Sequence, residues 1–166
     1  MPNAPFVSVE EYLNTSYDPD VEYIDGVLVE RNVGDWLHSW VQTNLLVALR
    51  NKYPFLKTVG ELRSKVTDTR YRLPDVCSLL EAPHSRFLID AAYLVIEVLS
   101  PDDRMSALIE KLQEYHRKGV KNIWVFDPRL HQMFDYDGSS LREVSGDSIR
   151  TADGQVELTA AEIFAE

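Results

Sequence analysis

Residues 93–100, YLVIEVLS, constrain the fold of this chain more than any other stretch. They continue the longest uninterrupted apolar run, Ala91 to Ile96, and read as a strand covered on both faces, which is the pattern of a central strand. Yet Glu97 sits inside it. An ionised carboxylate in such a strand is costly unless a cation meets it. A central strand therefore predicts structure on both sides and a cleft in which a positive group faces Glu97; the competing reading is an ion pair at a sheet edge. Alternation puts Tyr93, Val95, Glu97 and Leu99 on one face.

The elements around this strand follow from local signals. Ser8, with Glu11 three residues later, has the spelling of a capping box for a short helix through about Leu13. VEYIDGVLVE is two apolar runs about Asp25-Gly26, a hairpin signal because both turn positions favour positive φ. Asp35 caps a helix to about Tyr53, with Leu37, Val41, Leu45, Ala48 and Leu49 as its stripe, Trp36 and Trp40 widening it, and Pro54 ending it. Leu56–Tyr71 reads as a strand or bent hairpin, and Asp75–Leu80 as a strand beside 93–99. Ser100-Pro101-Asp102-Asp103 reads as a helix start. Met105, Leu108, Ile109, Leu112 and Tyr115 form that helix's buried stripe, and Gly119 closes it. A strand at Asn122–Phe126 follows, then turns and short strands, with the first few residues and the last dozen fraying. The expected fold class is α/β with α+β character: a mixed sheet flanked by helices, with an N-terminal helix and hairpin. Without repeats or Gly/Ser linkers, 1–166 reads as a single domain.

Composition excludes several classes. One cysteine, Cys77, allows no internal disulfide and suits a cytoplasmic address. The six-residue apolar run is far short of the roughly 20 residues that span a bilayer, and the N-terminus lacks a basic segment before an apolar one, so neither membrane insertion nor export is expected. A net charge of −10 argues against coating nucleic acid by bulk electrostatics. The charge is nevertheless uneven: residues 50–72 carry a net +5 and residues 104–121 a net +3. Brought together, these windows would make a cationic surface for a phosphate backbone; apart, they are two solvated faces.

Asp75, after Pro74, begins a strand; as a lone Pro-Asp it would be a turn dipeptide. Beside Glu97 it gains a second meaning, since two carboxylates at the same end of adjacent strands can hold a hard divalent ion through oxygen. Lys111 borders its helix's buried stripe, placed either to snorkel or to reach the Asp75–Glu97 cleft and orient a water or offset phosphate charge. Glu22, before the hairpin turn, either bends toward that cleft or stays exposed, and His38, near the positive end of its helix, is equally ambiguous. The four histidines show no zinc spacing, and there is neither a Gly-rich phosphate loop nor a G-x-S-x-G elbow.

The ordered set VEYIDGVLVE, His38, Pro74-Asp75-Val76, YLVIEVLSP, Lys111 with Tyr115, and GVKNIWVFDP resembles a large bacterial group of endonucleases in the PD-(D/E)XK, restriction-endonuclease-like superfamily, over roughly residues 8–128. The resemblance implies a four-stranded mixed core with helices on both sides and Mg²⁺-dependent (or Mn²⁺-dependent) hydrolysis of DNA phosphodiesters. It implies Asp75 and Glu97 as metal ligands, with Val98 adding a carbonyl. The superfamily's usual lysine, two residues after the acid, is Leu99 here, and its role is carried over to Lys111. The group's Asp shortly before that lysine is Ala107. Glu22 and His38 match positions that the group usually fills with the same residues, as auxiliaries to catalysis. A homodimer is expected because two scissions in a duplex need two sites. The alternative from the same residues is a catalytically inactive nucleic-acid-binding or protein-interaction module on this fold; a further alternative is hydrolysis of another phosphate ester.

Overall fold

A computed structural model describes residues 5–166. In chain order, helix α1 (Val9–Asn14) leads into the hairpin β1 (Glu22–Ile24) and β2 (Val27–Val29), and helix α2 spans Trp36–Lys52. Three short strands follow, β3 (Lys57–Gly60), β4 (Ser64–Thr67) and β5 (Arg70–Arg72), then β6 (Val76–Leu79) and β7 (Leu94–Val98). Helix α3 is Met105–Lys118 and strand β8 is Asn122–Asp127. The chain ends with β9 (Gln132–Tyr136), β10 (Leu141–Glu143), β11 (Ser148–Arg150), β12 (Glu157–Thr159) and helix α4 (Ala160–Phe164).

The main sheet has six strands in the order β10-β9-β8-β7-β6-β3, wider than the expected four. It is mixed: β7 and β8 are parallel, joined by the crossover through α3, and the other pairs are antiparallel. The strand that the apolar run predicts is central, and all five of its residues are buried. Leu94, Ile96 and Val98 point into a cluster with Val41, Leu45 and Leu49 of α2, while Val95 packs with Leu108, Leu112 and Tyr115 of α3. Tyr93 precedes the strand and joins the α2 side, so the alternation begins one residue later than expected. A second, antiparallel sheet in the order β2-β1-β5-β4 carries the hairpin. Asp25 (φ 50) and Gly26 (φ 92) take the positive φ values that the Asp-Gly turn requires.

Capping explains most boundaries. The Ser8 and Asp35 side chains accept from the amides of Glu11 and His38, and Gly119 (φ 106) closes α3 in the left-handed region. Four expectations fail for local reasons. Ser100 does not cap α3: its amide donates to the Asp103 carboxylate, residues 101–102 turn, and the helix begins only after Arg104. Trp36 and Leu37 do not line the α2 stripe; Trp36 is 70% exposed and stacks on Trp40 with centroids 5.1 Å apart. Met105, too, faces solvent. The C-terminus does not fray: Thr159 and Glu162 form a reciprocal capping box, and Ile163 and Phe164 are buried beside α2. Among the described residues no helix is long and apolar enough to cross a membrane.

Candidate active site

Strand pairing brings the two predicted carboxylates face to face. Val76 is opposite Ile96 in the antiparallel β6–β7 pair, so one further step along the ladder sets Asp75 opposite Glu97. Asp75 Oδ2 also accepts the Val98 amide at 2.7 Å, closing that end of the ladder. Both carboxylates are buried, at 2% and 5% exposure, on the wall of a pocket of about 260 Å³ that opens between the hairpin, the start of α2 and α3.

Helical spacing brings Lys111 and Tyr115 to Glu97 from the same face of α3. The Tyr115 hydroxyl donates to Glu97 Oε1 at 2.8 Å, and Lys111 Nζ stands 3.6 Å from Glu97 Oε2 and 3.1 Å from Glu22 Oε1. Glu22 is not an exposed hairpin residue: it is 3% exposed, its Oε1 accepts the Leu73 amide, and its Oε2 pairs with Arg72 at 2.9 Å. His38, on the first turn of α2, directs Nε2 to Asp75 Oδ1 at 3.3 Å. The structure thus gathers Asp75, Glu97, Lys111, Glu22 and His38 at one pocket, and Val98 contacts Asp75 through its amide.

Three further participants, Arg31, Glu114 and Gln42, are not singled out by the sequence. Arg31, just beyond β2, donates through Nη2 to Asp75 Oδ1 and through Nη1 to Glu61 at 3.1 Å. Glu114, 5% exposed, pairs with Arg72 at 2.6 Å and with Arg70, and Arg70 continues to Asp25 and Glu110. Gln42 donates to the Asp75 carbonyl at 2.8 Å. Glu114 stands three residues after Lys111, a spacing that could have marked it; Arg31 and Gln42 carry no such sequence signal.

These contacts split the carboxylates. Burial pushes Asp75 upward, but the hydrogen bond and charge of His38, the Arg31 guanidinium and the Val98 amide outweigh it and hold its carboxyl below the usual range. At Glu97 burial wins: aided by the negative charges of Asp75 and Glu22, it pushes the carboxyl up to about 7 despite Lys111 and the Tyr115 hydroxyl. Glu22 is held low because Lys111 and Arg72 overcome its burial. Lys111 is desolvated, yet Glu97, Glu22 and Asp75 raise it, so it stays an ammonium. His38 is likewise raised, since its bond to Asp75 outweighs burial.

Two facing carboxylates form a hard oxygen donor set, and Mg²⁺ takes one or two carboxylates while keeping several waters, so the pair fits one such ion. Among the described residues no group of three or more His, Cys, Asp and Glu side chains forms a ready-made metal cluster. The expected cationic surface is partly consumed by ion pairs. Although α3 packs on β4, Lys52, Arg63, Lys65, Arg70 and Arg72 are all engaged by acids, as is Lys111. From the two basic windows Arg50, Lys52, Lys57, Arg104, Arg117 and Lys121 stay exposed, of which Arg104 borders the pocket.

Comparison with known proteins agrees with this architecture. The crystal structure of a "putative nuclease belonging to DUF820" from Anabaena variabilis ATCC 29413 superposes with a TM-score of 0.80 at 17% identity, covering 96% of this chain and 98% of that one. A DrdV–DNA complex solved by electron cryomicroscopy aligns with a TM-score of 0.35 at 18% identity, over 65% of this chain and 9% of that one. No curated protein matches the sequence. The profile of the Uma2 family, described as "Putative restriction endonuclease", matches residues 9–157. With that match over most of its length, the chain belongs to the Uma2 family, within the PD-(D/E)XK restriction-endonuclease-like superfamily.

Proposed function

We propose that this protein is a metal-dependent endonuclease that hydrolyses DNA phosphodiester bonds. The observation that carries the reading is the juxtaposition of Asp75 and Glu97 across β6 and β7, with the Lys111 ammonium beside Glu97 in the same pocket. Asp75, Glu97 and the Val98 carbonyl would hold one Mg²⁺ or Mn²⁺. Such an ion supplies Lewis acidity, lowering the pKa of a bound water and neutralising charge on the phosphate. Lys111, fixed by Glu22 and Glu97, presents its ammonium to the attacked phosphate or the attacking water, where charge grows as the phosphoryl group is displaced in line. Tyr115 holds one Glu97 oxygen, leaving Oε2 turned toward Lys111. A second copy of the chain would serve the opposite strand of a duplex, and a cytoplasmic address suits the lone buried Cys77.

The test incubates purified protein with supercoiled, linear and single-stranded DNA and with RNA, in Mg²⁺, Mn²⁺ or EDTA, beside Asp75→Ala and Glu97→Ala. Cleavage of DNA that requires the metal and is lost in both variants is expected; equal activity in all three proteins would mean contamination and overturn the reading. A non-catalytic nucleic-acid-binding module is favoured by a separate observation: both Asp75 oxygens already have protein partners. It predicts DNA binding without turnover under every metal condition.

A further inference from the structure

Each cation at this pocket answers to a different constraint. Arg72 is 7% exposed and held on two sides by Glu22 and Glu114. Lys111 is shared by Glu22 and Glu97. Arg31 differs: its side chain is 20% exposed, it sits on the connection after β2, and its two partners are unlike. One is Asp75, which is almost wholly buried; the other is Glu61, whose side chain is 52% exposed. Its guanidinium therefore bridges the deepest carboxylate of the pocket and a carboxylate at the rim.

With Oδ2 held by the Val98 amide, a divalent ion reaches Asp75 through Oδ1, which the Arg31 guanidinium now occupies and which His38 Nε2 approaches at 3.3 Å. An ion and a guanidinium on one carboxylate oxygen also repel each other. Once Arg31 leaves Asp75, its remaining ion-pair partner among the described residues is Glu61, an exposed pairing of little strength. A planar fork of donors freed at a pocket mouth is well shaped to take two oxygens of a phosphate.

We propose that Arg31 is an internal competitor that a divalent ion must displace from Asp75, and that the displaced guanidinium then becomes a ligand for substrate phosphate at the mouth of the pocket. This rests on the metal-dependent reading given above. It makes Arg31 a residue with two stations, Asp75 in the metal-free protein and phosphate in the loaded one, and it couples ion binding to substrate binding.

The experiment titrates Mn²⁺ into the wild-type protein, Arg31→Met, Arg104→Met and Asp75→Asn by calorimetry, without DNA. Arg104→Met removes an equal charge from the rim of the same pocket, at an exposed residue, and so measures bulk electrostatics. Arg31→Met should bind Mn²⁺ about tenfold more tightly than wild type, the scale of one lost charge-assisted contact. Arg104→Met should change affinity much less, and Asp75→Asn should lose it. In Ca²⁺, without turnover, Arg31→Met should bind a DNA duplex several-fold more weakly than wild type, whereas in EDTA the two should bind alike. Equal gains in Arg31→Met and Arg104→Met, or unchanged duplex affinity in Ca²⁺, would overturn the proposal while leaving the metal reading intact, provided Asp75→Asn still abolishes Mn²⁺ binding. Absence of Mn²⁺ binding in both wild type and Arg31→Met would overturn the metal reading itself, and the competitor role with it. Should melting curves show that Arg31→Met does not fold, Arg31→Lys replaces it. A lysine keeps the charge but cannot span Asp75 and Glu61 with one planar fork, so a gain in affinity is still expected, and its absence overturns the proposal.

Discussion

Two buried charged clusters lie side by side at the pocket, and they are built differently. In the chain Lys111–Glu22–Arg72–Glu114–Arg70 the charges alternate in sign, and each internal member touches two partners of opposite sign. Around Asp75 and Glu97 two like charges face each other across a ladder; Arg31 and His38 meet Asp75, whereas among the described residues Glu97 has one ion-pair partner, Lys111 at 3.6 Å, and a hydroxyl. Alternation lets a buried ionic chain offset its own desolvation. Two facing anions do not, and the strain surfaces as a Glu97 carboxyl pushed up to about 7 while Glu22, a neighbour around the same ammonium, is held low. A balanced network fixes geometry; an unbalanced pair stores an unmet demand for positive charge, which is what a site for a cation requires.

The largest expected effect separates the clusters by function. Glu97→Gln, nearly isosteric, should lower the proposed metal-dependent DNA cleavage by about 10²–10³-fold, the scale of losing one group that stabilises transition-state charge. Its far-ultraviolet circular dichroism should remain that of the wild type, and its melt should remain cooperative. Loss of folding in Glu97→Gln would erase the distinction, because the unbalanced pair would then be holding the structure.

Next in size is the reverse experiment. Arg72→Met leaves Glu22 and Glu114 buried, Glu22 keeping Lys111 and Glu114 keeping Arg70 as their remaining cations. Breaking a buried ionic network by removing one partner costs about 3–5 kcal/mol. For a chain of this size that lowers the melting temperature by about 10 °C, read by thermal denaturation. Replacing Glu22, Arg72 and Glu114 together by apolar residues of similar volume should cost less than Arg72→Met alone, since no orphaned charge remains.

The two clusters also differ in how far the sequence discloses them. Glu97 is conspicuous because its neighbours are all apolar, Asp75 because proline precedes it at a strand start, and Lys111 because it borders a stripe. Each is an anomaly against a local pattern. Arg72 and Glu114 are not anomalies: in RYRL and KLQEYH, charged residues look like solvated faces, and only the packing of α3 against the smaller sheet buries them. Arg31 is hidden more deeply, since it lies outside any helix or strand and meets Asp75 across 44 positions of chain. The fold follows the same rule. The capped helices, the Asp-Gly hairpin and the central strand follow from local chemistry, whereas the strand order and the six-strand width come from pairings between distant segments. The C-terminal helix was readable, because Thr159 and Glu162 spell a capping box ahead of a buried Ile163-Phe164.

A smaller effect concerns stability against pH. A carboxyl whose folded pKa is raised holds its proton more tightly folded than unfolded, so Glu97 makes the protein less stable as pH rises from about 4.5 to about 7. Glu22, lowered, works the other way: its contribution is present above about 4.5 and is lost as pH falls through its folded value. Glu97→Gln should therefore melt higher than wild type at pH 8 in EDTA, by on the order of 5 °C, with the gain vanishing near pH 4.5. Excess divalent ion should erase the gain by stabilising only the wild type. A variant that melts at the same temperature as wild type at every pH would show that Glu97 carries no such burden.

The smallest effect lies at the outer end of the balanced chain, where Arg70 passes from buried Glu114 to Asp25 and Glu110, whose side chains are 52% and 56% exposed. Water screens these last pairs, and alternation should cease to matter there. Asp25→Asn tests this cleanly. Asp25 occupies the positive-φ turn position (φ 50), a conformation that asparagine also tolerates, and an asparagine carbonyl can still accept the Thr69 hydroxyl. The Asp25 charge and the two hydrogen bonds that its Oδ2 accepts from Arg70 are lost. The melting temperature should fall by less than about 2 °C, and by still less in 0.5 M salt, about the range of ionic strength where the screening length drops below 5 Å. A fall as large as that of Arg72→Met would mean that the chain acts as one unit up to the solvent, and that its strength comes from continuity rather than from burial.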